Sequence, residues 1–271
     1  MTSLVAWMGV DTHGPASVYL ASDSRISWSQ TESWDVGRKL FASRAWPDLY
    51  GYCGDVDFPS LFLSQHVDLL DSGALVPVDA PAHARYAVLE PDLRRCFEAL
   101  PARYRRPFTI LCCARTGQGM QALFSIWRTE WSPTKGWLTL ELTPPATSDT
   151  LVVLGSGEYA VMEQALAWKA SAAGGTSRAV FSAFCDALRL GKDPHSGGAP
   201  QLVGLYRRGA GITFGIIWEQ QKYLLGRAVD RLSTPNTVEW RNALLERCDG
   251  VTGERLPYAQ PHLRPLTIPG A

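Results

Sequence analysis

Threonine stands at position 2, directly after Met1, at the head of the apolar run "MTSLVAWMGV". A threonine hydroxyl is a weak nucleophile until a base takes its proton. If Met1 is removed, Thr2 carries that base itself. An α-amine has an ordinary pKa of about 7.7–8.0, so a useful fraction is neutral at pH 7. Such a hydroxyl suits acyl transfer. Further residues able to do chemistry stand in five short stretches: "ASDSR" with Asp23 and Arg25, "GRKLFA" with Lys39, "GYCGD" with Gly54, "GSGEYA" with Ser156, and "DPHSGG" with Asp193 and Ser196.

Taken singly, each stretch has a plainer reading. Asp23 and Lys39 read as a solvated ion pair of little energetic weight. "GSGEYA" fits the G-x-G-x-x-A dinucleotide fingerprint and follows the strand-like "TLVVL". A helical stretch then occupies the place of the ribose-binding acid and next strand, which argues against that site. "DPHSGG" is a good turn. His195 beside Ser196 suggests a Ser-His pair, but adjacent residues do not present both groups to one substrate. His13, His66, His83 and His262 lack metal-ligand spacing, and no cofactor is implied. Cys53 reads as a small packing residue.

Composition narrows the function further. Lys+Arg and Asp+Glu both number 26, so the formal net charge is zero and no overall field favours nucleic acid or an anionic membrane surface. No apolar run approaches the roughly 20 residues of a membrane span. The amino-terminal region lacks the basic-then-apolar pattern of a signal peptide. None of the six cysteines sits in a C-x-x-C pair. These features together predict a cytoplasmic protein.

The elements needed to position these residues follow from pattern. Residues 3–9 and 16–22 predict a hairpin across "DTHGP", and "KLFAS" with "LYGYCG" a second across "RAWPD". Phe58, Leu61, Phe62 and Val67 recur at helical spacing after an acidic start. Residues 72–82 read as a loop. A second helix is predicted over 86–103, with Pro91 in its first turn or interrupting it. Strands follow at "FTILCCA", "ALFSIWR", "WLTLEL" and "TLVVLGS". Two helices come next, "GEYAVMEQALAWKASA" and "SRAVFSAFCDALRL", then a last hairpin of "QLVGLYR" and "ITFGIIW". This order lacks steady β-α-β alternation. It suits two antiparallel sheets between two helix layers. Residues 1–228 are expected to form one domain. Residues 229–271 are expected to be an extension with one helix, "TVEWRNALLERC", and a Pro-rich tail.

As an ordered set, the chemical stretches resemble the β-subunits of proteasomes and the related bacterial ring peptidases. Asp23 and Lys39 are sixteen residues apart, the family's interval, and Cys53-Gly54 matches its small-residue–Gly pair. Residues 155–157 match its Gly-Ser-Gly, and 193–198 its Asp-x-x-Ser-Gly-Gly. Ser156 and Ser196 are forty apart, as in archaeal-type subunits. The match covers about residues 2–225. The longer first hairpin, some loops and the tail depart from it.

The resemblance implies an α+β fold, a four-layer αββα sandwich of the N-terminal-nucleophile hydrolases. It implies a threonine endopeptidase with Thr2 as nucleophile and base, Lys39 as a nearby positive charge, and Asp23 holding Lys39. Gly54 would offer its N–H to the oxyanion, while Ser156, Asp193 and Ser196 would orient the amine and a water. It also implies a homo-oligomeric ring or spiral, a peptide or unfolded-protein substrate, and an ATP-dependent unfoldase as partner. The specificity pocket is expected near Tyr52, Cys53, Val56 and Phe58. Two alternatives stay open: a catalytically silent ring subunit, and an N-terminal-nucleophile amidohydrolase acting on small molecules.

Overall fold

The computed structural model describes residues 2–29, 31–229 and 237–265. Its first apolar run forms β1 (Leu4–Asp11), which turns back as β2 (Gly14–Ser22). Successive strand side chains point to opposite faces, and both faces are buried here. Leu4, Ala6, Met8, Val18 and Leu20 enter one apolar cluster, while Val5, Trp7, Tyr19 and Ala21 enter another. A strand covered on both sides has no need of polar alternation, hence the unbroken apolar run.

A small hairpin, β3 (Ile26–Ser27) with β4 (Ser33–Trp34), comes next. Then come β5 (Leu40–Ala42), β6 (Asp48–Gly54), α1 (Asp57–Asp71) and α2 (Ala82–Glu98). They are followed by β7 (Phe108–Thr116), β8 (Leu123–Ser132), β9 (Gly136–Leu142) and β10 (Asp149–Leu154). The chain continues through α3 (Glu158–Lys169), α4 (Ser177–Leu190), β11 (Gln201–Tyr206) and β12 (Ile212–Trp218). Last are β13 (Gln221–Leu224), β14 (Arg227–Ala228), β15 (Trp240–Asn242) and β16 (Arg247–Cys248).

The strands form a nine-stranded sheet, with path β10-β1-β2-β11-β12-β13-β14, and a five-stranded sheet, β5-β6-β7-β8-β9. All pairings in the five-stranded sheet are antiparallel. Three clusters show how the elements bury their apolar faces. Phe58, Phe62, Leu89 and Phe97 of α1 and α2 pack with Tyr50, Ile110 and Trp127 of the five-stranded sheet. Leu49, Leu111 and Ile126 of that sheet meet Leu4, Leu20 and Val203 of the other. Val161, Phe181 and Phe184 of α3 and α4 pack with Trp7, Leu202 and Phe214.

Three local expectations need correction. The helix expected over "TVEWRNALLERC" is absent: β15 pairs in parallel with β12, and β16 pairs with β15. Helical spacing is a weak prior that tertiary context overrides. Here the Asn242 Oδ1 accepts hydrogen bonds from the Leu244 and Glu246 N–H groups, both at 3.0 Å, and turns the chain instead. Trp240 is then carried into the interior, only 2% exposed. The second helix starts and ends earlier than expected and runs through Pro91. The β3–β4 hairpin, β13 and β14 had no clear sequence signal. In the Pro-rich tail, an isolated bridge joins Arg255 to Cys248. Residues 266–271, and Met1, lie outside the described residues.

Candidate active site

The ends of the strands assemble the site. Lys39 immediately precedes β5 in the five-stranded sheet, and Asp23 immediately follows β2 in the other. Their side chains are 1% and 0% exposed, and the Lys39 Nζ donates to Asp23 Oδ1 at 2.8 Å. The solvated-pair reading therefore does not hold. An isolated buried ammonium would be costly, and the carboxylate compensates it. Asp23 accepts three more hydrogen bonds. Oδ1 takes the Ser3 N–H at 3.0 Å; Oδ2 takes the N–H groups of Arg25 and Gly197 at 3.0 and 3.1 Å. Four donors fill an acceptor-only group and fix its plane. Burial pushes the Lys39 pKa below its ordinary value, opposed by the charge and hydrogen bond of Asp23.

Thr2, Lys39 and Gly54 line one cleft of about 440 Å³, with Arg25, Trp28, Tyr52, Asp55, Val56, Asp57 and Arg106 among its other walls. Gly54 ends β6 with φ +96°, and a Cβ there would stand 2.6 Å from the Pro107 carbonyl oxygen. Both backbone twist and space demand glycine. Gly155, between β10 and α3, has φ +95°, and its added Cβ would lie 1.8 Å from the Thr2 carbonyl oxygen. The Gly-Ser-Gly turn is thus pressed against the backbone of Thr2.

Ser156, Asp193 and Ser196 form a second group. The hydroxyls of Ser156 and Ser196 each donate to Asp193 Oδ2 at 2.7 Å. The Ser196 Oγ also lies 2.8 Å from the Ser3 Oγ. With the Ser196 proton committed to Asp193, Ser3 is the donor in that contact. The group is thereby tied to the residue that follows Thr2. Burial alone pushes the Asp193 carboxyl up. The hydrogen bonds of Ser156, Ser196 and the His195 N–H outweigh it and hold the group below the usual carboxylate range.

Other chemical readings lose ground. Burial pushes the Cys53 thiol up to about 11, which suits an inert packing residue. After α3 the chain enters α4, and β10 pairs antiparallel with β1, so no βαβ unit surrounds "GSGEYA". Among the described residues, no group of three or more His, Cys, Asp or Glu is placed to hold a metal ion. Likewise, no helix there is long and apolar enough to cross a membrane. A second cleft, of about 420 Å³, lies against β10, α3 and α4. Its Asp149 and Lys169 pair with each other at 2.7 Å, and its other walls are largely apolar.

No protein-family model matches the chain. No curated protein matches it. Among solved structures it is similar to eukaryotic HslV from Trypanosoma brucei. The TM-score is 0.47 and the identity 12%, over 75% of this chain and 99% of that one.

Sequence reasoning did not single out Ser3, Asp35, Arg106 or Gln201. Asp35 clamps Arg25 through two hydrogen bonds of 2.7 and 2.8 Å and so anchors the β3–β4 hairpin beside the cleft. Ser3 and Gln201 did leave a signal: each is a polar residue at the head of an apolar strand run. Arg106, at a loop end, left none.

Proposed function

We propose that this chain is a threonine endopeptidase of the proteasome type, built as a four-layer αββα sandwich and acting through Thr2 once Met1 is removed. The observation that carries the reading is the buried Lys39–Asp23 pair opening onto the cleft that Thr2 and Gly54 share. A solvated pair would only decorate a surface. A buried, carboxylate-paired lysine that lines the same cleft as Thr2 has a chemical use.

In the proposed reaction, the neutral α-amine of Thr2 takes the hydroxyl proton, directly or through a water, as Oγ attacks the peptide carbonyl carbon. Lys39 keeps positive charge nearby and disfavours protonation of the amine beforehand. The Gly54 N–H meets the oxyanion, a contact whose loss typically costs about 3–4 kcal/mol in the transition state. The intermediate collapses, the proton passes to the leaving amine, and an ester to Thr2 remains. Water then attacks the ester, its proton is taken by the amine, and Oγ is reprotonated as the acid product leaves. Ser156, Asp193 and Ser196 orient the amine and the water.

The same reading places the enzyme in the cytoplasm, in a self-compartmentalising homo-oligomeric ring or spiral fed by an ATP-dependent unfoldase. Intact-mass analysis with a Thr-directed epoxyketone or boronate tests it. The expected result is loss of Met1, one label on Thr2, none on Thr2→Ala, and a ring-sized species by native mass spectrometry. Retained Met1 would overturn it and leave a silent subunit. Labelling without cleavage of any peptide would favour a small-molecule amidohydrolase.

A further inference from the structure

Gln201 opens β11 and is 2% exposed. Its one planar amide reaches four groups. Oε1 accepts the Lys39 N–H at 3.1 Å. Nε2 donates toward the Gly37 carbonyl at 2.8 Å, the Ser24 Oγ at 3.0 Å and the Asp23 carbonyl at 3.2 Å. Ser24 sends its own proton to the Ala199 carbonyl at 2.6 Å, which leaves its oxygen free to accept. The amide thus holds the backbone on both sides of the ion pair: Lys39 before β5, and Asp23 after β2. One backbone bond runs alongside, from the Gly37 N–H to the Ser24 carbonyl at 2.9 Å. Gln201 itself does not line the cleft.

We propose that Gln201 is the positioning residue of the Lys39–Asp23 pair, setting the spacing between the two strand ends that present the ammonium to Thr2. A glutamine suits the task because it combines an acceptor for one backbone with donors for the other on a rigid plane. An apolar residue of similar size would leave the Lys39 N–H and the Asp23 and Gly37 carbonyls without this partner. Asparagine is one methylene too short to span both ends. The kinetic consequence rests on the peptidase reading; the placement of Lys39 does not.

Two readouts keep these apart. The first is the titration of Lys39, one of five lysines, followed by its ε-carbon signal in ¹³C-lysine protein. The ionisable groups acting on that ammonium are Asp23, Cys53 and Asp35, all present in every variant. The second is the rate and affinity of epoxyketone labelling at Thr2. Val203→Ala, in the same strand and fully buried, supplies a matched loss of stability without touching the pair. For Gln201→Asn, the Lys39 midpoint is expected to move. The labelling rate should fall about tenfold, a loss of one such placement contact, with reversible affinity unchanged. Val203→Ala should change neither. If Gln201→Asn does not fold, Gln201→Met serves: it keeps the side-chain length and adds no charge while removing all four amide contacts, and it should move the Lys39 midpoint and slow labelling in the same way. A Lys39 midpoint unmoved in the folded variant overturns the proposal, whether or not Thr2 labels. A wild-type protein that never labels would instead defeat the peptidase reading, while the titration still decides the role of Gln201.

Discussion

Replacing Asp23 by asparagine removes one charge from a site with no solvent to replace it. Lys39 is 1% exposed and its Nζ sits 2.8 Å from the carboxylate. Two outcomes are open to the folded variant, and both are costly. If Lys39 stays charged, an unpaired buried ion costs about 3–5 kcal/mol. If it gives up its proton, the cost at pH 7 follows from its ordinary pKa of about 10.4: 3.4 units at about 1.36 kcal/mol each, or about 4.6 kcal/mol. The amide also turns an NH₂ toward N–H groups that Asp23 now accepts, those of Arg25 and Gly197 or of Ser3. Asp23→Asn should therefore lose about 3–5 kcal/mol, a large part of a typical domain's 5–15.

The pH dependence of this loss has a definite sign. In the variant, burial acts on Lys39 without the charge and hydrogen bond of Asp23, the strongest forces opposing it, so its folded pKa drops below that of the wild type. While the wild-type Lys39 holds a proton that the folded variant lacks, the unfolded variant binds one proton more than its folded form, so raising the pH stabilises the variant and leaves the wild type unchanged. The deficit should shrink by up to about 1.4 kcal/mol per pH unit. Urea denaturation of both proteins at pH 7 and 9 measures it. Adding Lys39→Met to Asp23→Asn should recover most of the loss, since no buried charge is left. A deficit below about 1 kcal/mol, unchanged with pH and unaltered by Lys39→Met, would refute the reasoning; the pair would then behave as an exposed one.

Gly155→Ala should lower both stability and Thr2 labelling, because its Cβ would occupy space 1.8 Å from the Thr2 carbonyl oxygen on a backbone at φ +95°; unchanged stability and labelling would contradict the close approach. His66 is buried against Phe62 and Tyr50, and burial lowers its pKa to about 4. The unfolded chain then binds the extra proton between about pH 6.5 and 4, so stability present above 6.5 should be lost as pH falls through that window, by about 3 kcal/mol. His66→Phe should flatten that part of a stability-versus-pH curve. Trp240→Ala should cost about 3–5 kcal/mol, within one cooperative unfolding transition, if β15 belongs to the main core as its pairing with β12 indicates. A separate early transition in calorimetry would contradict that.

The three hairpins, the helix pairs and the antiparallel pairing within the sheets were legible because each rests on a local period. Leu4, Ala6 and Met8 against Val5 and Trp7 repeat every second residue, and Phe58, Phe62 and Val67 recur at helical spacing, although Leu61, expected among them, is 66% exposed. The extension was misread for the same reason. "TVEWRNALLERC" has helical spacing, but the backbone it meets on β12 lies 25 residues earlier, Gly215 opposite Trp240, and is invisible to a local pattern. The candidate site was legible as a set of residue types at fixed intervals. Whether Asp23 and Lys39 touch, however, is not contained in an interval of sixteen.

By itself, the sequence determined which residues could react, where the apolar strand runs lie, and that no net charge steers a partner. Those follow from side-chain chemistry and short-range geometry. Only the tertiary structure decided that Lys39 is dry, that its carboxylate is filled by four donors, and that Ser196 reaches Ser3. It also brought Gln201 to both ends of the pair. Burial and hydrogen-bond saturation depend on atoms drawn from β2, β5 and β11 together, and those meet only when the two sheets pack.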